Sequence, residues 1–131
     1  MHAYHKDADF VDCCKLELEK LAAQCKSMKL GVIVTSDGFV VSSYGNLPDN
    51  GNRLGSMTSS MQALAEAVHG ELGLNANKHV TFAADNGNIV MRSIGEYPLV
   101  ITATFDDRET LGNAIFSIGQ TVETICGTLN S

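Results

Sequence analysis

Residues 79–105, HVTFAADNGNIVMRSIGEYPLVITATF, hold three strand-like runs at 79–84, 89–94 and 99–105. Asp85, Asn86, Gly87 and Asn88 make the first connection; Gly95, Glu96, Tyr97 and Pro98 make the second. Strands joined this tightly must lie antiparallel, because a parallel pair needs a crossover of a dozen or more residues. A further pair of β-rich runs, 32–35 and 39–44, flanks Ser36, Asp37 and Gly38. Asp-Gly supplies the positive φ of a tight hairpin turn, and Asp37 reads as a turn former.

Three segments carry helical periodicity. Over 9–28, Phe10, Cys14, Leu18, Leu21, Cys25 and Met28 recur every three or four positions, with Lys15, Glu17, Glu19 and Lys26 on the wet side. After a loop at 46–52, whose Asn52 can cap the next element, a second helix is expected over 53–72. Leu54, Met57, Met61, Leu64, Ala65, Val68 and Leu72 fall on one face of it and predict a core contact. Ser56, Ser60, Ala63, Ala67 and Gly70 form a small-residue stripe roughly opposite, with Thr58, Gln62, Glu66 and His69 between. A far side stripped of long charged side chains points to a second packing partner. The last helix is expected to open at Asp106, with Glu109 completing a capping box, and to continue through Leu111, Ala114, Ile115, Ile118, Val122, Ile125 and Leu129. Gly112 and Gly119 beside that face would admit the first helix closely.

The order is therefore α-β-β-α-β-β-β-α, an α+β chain. The expected architecture is one five-stranded antiparallel sheet with helices on both faces. At 131 residues, 44% hydrophobic and 18% charged, the chain fits a single domain over 9–131 behind a flexible tail at 1–8. No apolar run approaches the roughly 20 residues of a membrane span, and the first residues lack a signal peptide's apolar stretch, so a cytoplasmic location is expected.

Net charge is −6, and residues 31–131 hold four basic against ten acidic side chains. That balance repels phosphate backbones and argues against a nucleic-acid partner. Cys13, Cys14, Cys25 and Cys126 form no C-x-x-C pair and read as thiols of a reducing compartment. No P-loop, no dinucleotide fingerprint and no G-x-S-x-G elbow occurs, so no catalytic residue, cofactor or metal is expected. His2 and His5 fall in the tail, and His69 and His79 have no ligand partner at suitable spacing. Arg53, Arg92 and Arg108 are the only arginines, and none is clearly presented as an arginine finger.

The hairpin GVIVTSDGFVVSSYG, the helix RLGSMTSSMQALAEAVHGELG, the strands around DNGNIVMRSIG and the final helix together resemble the roadblock/dynein light-chain family. The likeness covers about residues 9–129 and is nearest to the bacterial branch related to the polarity regulator MglB. It implies a roadblock/profilin-like fold and a non-enzymatic homodimeric regulator or adaptor. The implied partners are a small Ras-like GTPase, or a larger assembly such as dynein. It also implies a homodimer interface on the second helix and third strand. Ser56, Ser60, Ala63, Ala67 and Gly70 lie on that helix, and Val80 and Phe82 on that strand. The competing expectation is a small-molecule sensor of profilin-, GAF- or PAS-like architecture, which needs a polar-lined pocket under a long loop.

Overall fold

Asp7 starts the first helix: its carboxylate accepts the Phe10 amide at 3.2 Å and caps α1, Ala8–Gln24. The computed structural model describes residues 2–75 and 79–130. Phe10, Cys14, Leu18 and Leu21 bury the apolar side of α1. Glu17, expected on the wet side, is buried with them and pairs with Lys20 at 3.4 Å. The stripe expected to reach Met28 stops early, because Cys25 at φ −115°, ψ 87° leaves the helix and Met28 opens the first strand. Ahead of Asp7, Tyr4–Lys6 make one 3₁₀ turn, and the His5 ring stacks on Phe39 at a centroid distance of 4.5 Å. His5, one of the residues expected in a tail, thus lies against Phe39 at the β1–β2 turn.

Five strands form one sheet: β1 Met28–Thr35, β2 Val40–Tyr44, β3 Val80–Ala84, β4 Gly87–Ser93 and β5 Leu99–Asp106. Their spatial order is β2-β1-β5-β4-β3, and every neighbouring pair is antiparallel. The expected element order and fold class hold. At the β1–β2 turn Gly38 sits at φ 96°, and the Thr35 hydroxyl donates to Asp37 at 2.5 Å while accepting from the Phe39 amide at 3.0 Å. Asp37 therefore spends its carboxylate on the turn. The chain reverses before α2, Asn52–Glu71, through Asp49 and Asn50 at φ 53° and 54°. The N-cap is Gly51, with no side-chain bond; Asn52, expected as the cap, is already the first helical residue.

The two faces of the sheet are unequal. Alternation along β5 sends Leu99, Ile101, Ala103 and Phe105 into the large core beneath α1 and α3, the latter spanning Leu111–Leu129. Val100 joins Val32 and Val34 in a small second core, with Val40 and Leu54 packed on it. Thr102 also faces α2, where its hydroxyl meets that of Thr58 at 2.9 Å with both residues fully buried. Gly55 lets the helix settle: an added Cβ would come within 3.1 Å of the Gly38 carbonyl oxygen and of Val34.

Asp106 does not cap the last helix as expected. It ends β5 and binds the Arg108 guanidinium at 2.6 Å and Lys29 at 3.5 Å. Thr110 caps α3 instead, accepting the Asn113 amide at 3.2 Å. Glu109 accepts from Ser27 and from the Asn113 side chain, each at 2.5 Å, and so ties the α1–β1 turn to the start of α3. Nor does Gly119 serve α1, since the space a Cβ would need there holds the Arg92 guanidinium of β4 at 2.9 Å.

Two tests follow from these contacts. Thr58→Val strands the Thr102 hydroxyl in the core and is expected to cost about 1–3 kcal/mol in denaturant unfolding, whereas Thr58→Val with Thr102→Val recovers most of the loss. Hydrogen bonds from Ser27, then Asn113, lower the Glu109 pKa. A carboxylate lowered on folding stabilises above its unfolded pKa of about 4.3 and loses that contribution as pH falls through the folded value. The destabilisation caused by Glu109→Gln should therefore be present at pH 7 and shrink as pH falls below about 4.

Candidate functional site

The docking of α2 through Gly55, Thr58 and Gln62, its buried residues, determines what else the helix presents. The face expected to enter the core instead points away from it. Met57 is 50% exposed, Leu64 57%, Val68 47% and Leu72 66%; only Leu54, Met61 and Ala65 are partly covered. The physical reason lies beneath the helix. Beneath it the sheet offers the buried Val32, Val34, Val100 and Thr102 and the partly buried Val40, so the small and polar sector of α2 fits closer than its large apolar sector.

That exposed sector turns toward the sheet edge. Met61, Leu64, Ala65, Val68 and His69 of α2, with His79, Val80 and Phe82, line an apolar groove of about 320 Å³. β3 is the terminal strand of the sheet, paired only with β4. Phe82, Ala83 and Ala84 are exposed on it. A bare strand edge beside an apolar helix face is an arrangement that soluble proteins cover.

Of the residues singled out from the sequence, Ser56, Ser60, Ala63, Ala67 and Gly70 are all exposed on α2. Val80 is half-buried, Phe82 is exposed, and these two line the groove. The small-residue stripe runs outside the groove, around the helix from it. In the sequence Lys78 and His79 precede the third strand and Asp85 follows it, charges and polarity that discourage edge pairing; Lys78 lies outside the described residues. Met57, Leu64, Val68 and Leu72 are the residues sequence reasoning misassigned. The signal that would have placed them is in β5, where Val100, Thr102 and Thr104 alternate with the bulkier Leu99, Ile101 and Phe105 and mark one sheet face as poor in apolar volume.

Among the described residues, two further concavities border the sheet. His2, Ala3, Tyr4, His5, Thr35, Ser36, Asp37 and Pro98 enclose about 470 Å³ between the first residues and the β1–β2 turn. A smaller cleft of about 220 Å³ opens on the other flank of α2, between Gln62, Glu66 and Ser93. Among the described residues, no group of three or more His, Cys, Asp or Glu side chains is placed to hold a metal ion. None of their helices is long and apolar enough to cross a membrane. All four cysteines are free; burial, then the neighbouring Cys13 and Glu17, pushes the Cys14 thiol up to about 12, which leaves it a poor nucleophile. Arg108 is committed to Asp106 through both its backbone and its guanidinium.

The fold recurs in solved structures. Myxococcus xanthus MglB matches with TM-score 0.83 and 18% identity, over 99% of this chain and 93% of that one. A Roadblock/LC7 domain from Streptomyces avermitilis matches with TM-score 0.81 and 14% identity, over 89% of this chain and 98% of that one. Acanthamoeba castellanii profilin II matches with TM-score 0.59 and 11% identity, over 87% and 97%. Comparison with curated proteins found no match. The family model described as Roadblock/LC7 domain matches residues 15–103, and the chain belongs to that family.

Proposed function

We propose that the chain is a non-enzymatic regulator or adaptor that works as a homodimer and docks a small Ras-like GTPase or a larger assembly. The observation that carries this reading is the apolar surface shared by α2 and β3, left bare in the single chain. A two-fold axis at the sheet edge pairs β3 with its own copy and satisfies the outer backbone groups of the strand. The same axis brings the two α2 helices together. Ser56, Ser60, Ala63, Ala67 and Gly70 admit close approach, and Val80 and Phe82 meet the partner chain. Met57, Leu64 and Val68 supply the apolar area. An interface of standard size, on the order of 1,600 Å² in total, is enough for a stable pair.

Membership of the Roadblock/LC7 family and the likeness to MglB support the regulatory role. One of the similar solved structures is described as MglB with tetrameric arrangement, which favours self-association in this chain too. The competing reading, a small-molecule sensor, is favoured only by the cavity of about 470 Å³ beside the β1–β2 turn. A stabilising small ligand held by His5 and Asp37 would move the assignment to it.

Light scattering at micromolar concentration should give twice the chain mass of 14.0 kDa. Leu64→Arg or Ala67→Glu should yield monomer or insoluble protein, whereas Glu19→Lys on α1 should leave the dimer intact. A monomeric wild type, or a dimer untouched by both α2 variants, contradicts the interface. The purified chain should neither bind GTP at micromolar levels nor hydrolyse it. Turnover abolished by mutating one of its own residues would overturn the non-enzymatic assignment.

A further inference from the structure

The flank of α2 turned away from the apolar groove carries a different kind of surface. Gln62, Ala63 and Glu66 face Ser93, Tyr97 and Val100 across the cleft of about 220 Å³. Ala63 belongs both to this cleft and to the stripe of the proposed dimer contact, but at 100° per residue Gln62 and Glu66 lie well round from the outward line Ser60–Leu64–Ala67, so the polar part of the cleft opens beside that contact.

Among the described polar groups of the cleft, one acceptor is left unmet. Gln62 is only 9% exposed, and its amide nitrogen donates to the Ser93 hydroxyl at 2.7 Å and to Glu66 Oε1 at 3.3 Å. Gln62 Oε1 is buried without a hydrogen-bond partner among the described residues. Reversing the amide does not remove the fault. The oxygen would then face the Glu66 carboxylate, and the nitrogen would lose that acceptor. The Ser59 hydroxyl is already spent on the Ser36 carbonyl. Among the described residues Glu66 makes no ion pair. A buried carbonyl beside an unpaired carboxylate is an arrangement completed by a cationic hydrogen-bond donor.

We propose that this cleft receives the guanidinium group of an arginine presented by a docking protein, with Glu66 and Gln62 Oε1 as its acceptors. The planar fork offers five donors, enough to meet the carboxylate and the buried carbonyl together, which an ammonium ion does less well. Ala63, Val100 and the Tyr97 ring border the cleft and give an arginine's methylene stem apolar surface to lie against. Only the source of the arginine rests on the chain being a docking module; the chemistry of the cleft does not.

The test uses the full-length protein and small probes in NMR titrations: arginine capped as its N-acetyl methylamide, the equally capped citrulline, and free arginine. Capped arginine should shift the Gln62 side-chain and Ser93 signals with a dissociation constant on the order of millimolar. Citrulline, the uncharged isostere, should bind at least ten-fold more weakly. Glu66→Gln and Gln62→Leu should each weaken the arginine response, with far-ultraviolet circular dichroism unchanged. Free arginine binding much more tightly than the capped form would assign the cleft to a small molecule and overturn the protein source. Equal responses to arginine and citrulline, responses indifferent to both variants, or no response at all, as expected if the cleft holds only water, would overturn the cation site. None of these outcomes depends on the oligomeric state, so the cleft and the dimer fail separately.

Discussion

The contact between Thr58 and Thr102 sets the rotation of α2 on the sheet, and much of the rest follows from that rotation. Two buried hydroxyls bonded to each other hold the helix by its polar sector, with Gly55 pressed against the β1–β2 turn beside them. A helix seated in this way cannot also bury Met57, Leu64, Val68 and Leu72. Its large apolar side chains become surface, and the groove against Val80 and Phe82 is the result. The chain thereby keeps two cores of unequal size: an extensive one under α1 and α3, and a small one of valines under α2. The larger buried core lies on the first side and the exposed apolar surface on the second.

That division explains which parts of the fold were legible in the residues. The antiparallel sheet followed from connections too short for any crossover, and the five strands lie within two residues of their expected starts apart from β1, which begins at Met28. α1 and α3 were recognisable because their apolar stripes meet a sheet face filled by Leu99, Ile101 and Phe105. Helix ends were less legible. Asp106 and Glu109 have the spacing of a capping box, yet Arg108 and Lys29 engage the first and Ser27 the second, leaving Thr110 to cap α3. Side chains distant in sequence won over the local pattern.

The assignment of faces on α2 failed for a related reason. Helical periodicity locates a stripe but does not say what it touches; that depends on the volume available across the interface. Here the apolar stripe and the small-residue stripe flank a third sector, Thr58 and Gln62, which was read as intermediate and proves to be the buried one. The misreading strengthens the case for association: a stripe hydrophobic enough to be taken for core is exposed in the single chain. The orphaned carbonyl of Gln62 was likewise invisible in the sequence, because only the packing of β4 beside α2 shows that it lacks a donor.

If the apolar side of α2 and the edge of β3 are completed by a second copy, the backbone amides on the outer edge of β3 must be hydrogen-bonded in the dimer and free in the monomer. Hydrogen exchange across Val80–Ala84, followed by NMR as the protein is diluted, reads this directly. The account predicts slow exchange along the outer edge of β3 at high concentration, rising on dilution and rapid at every concentration in Leu64→Arg, while β1 and β5 stay protected throughout. Rapid, concentration-independent exchange along β3 in the wild-type chain would contradict it.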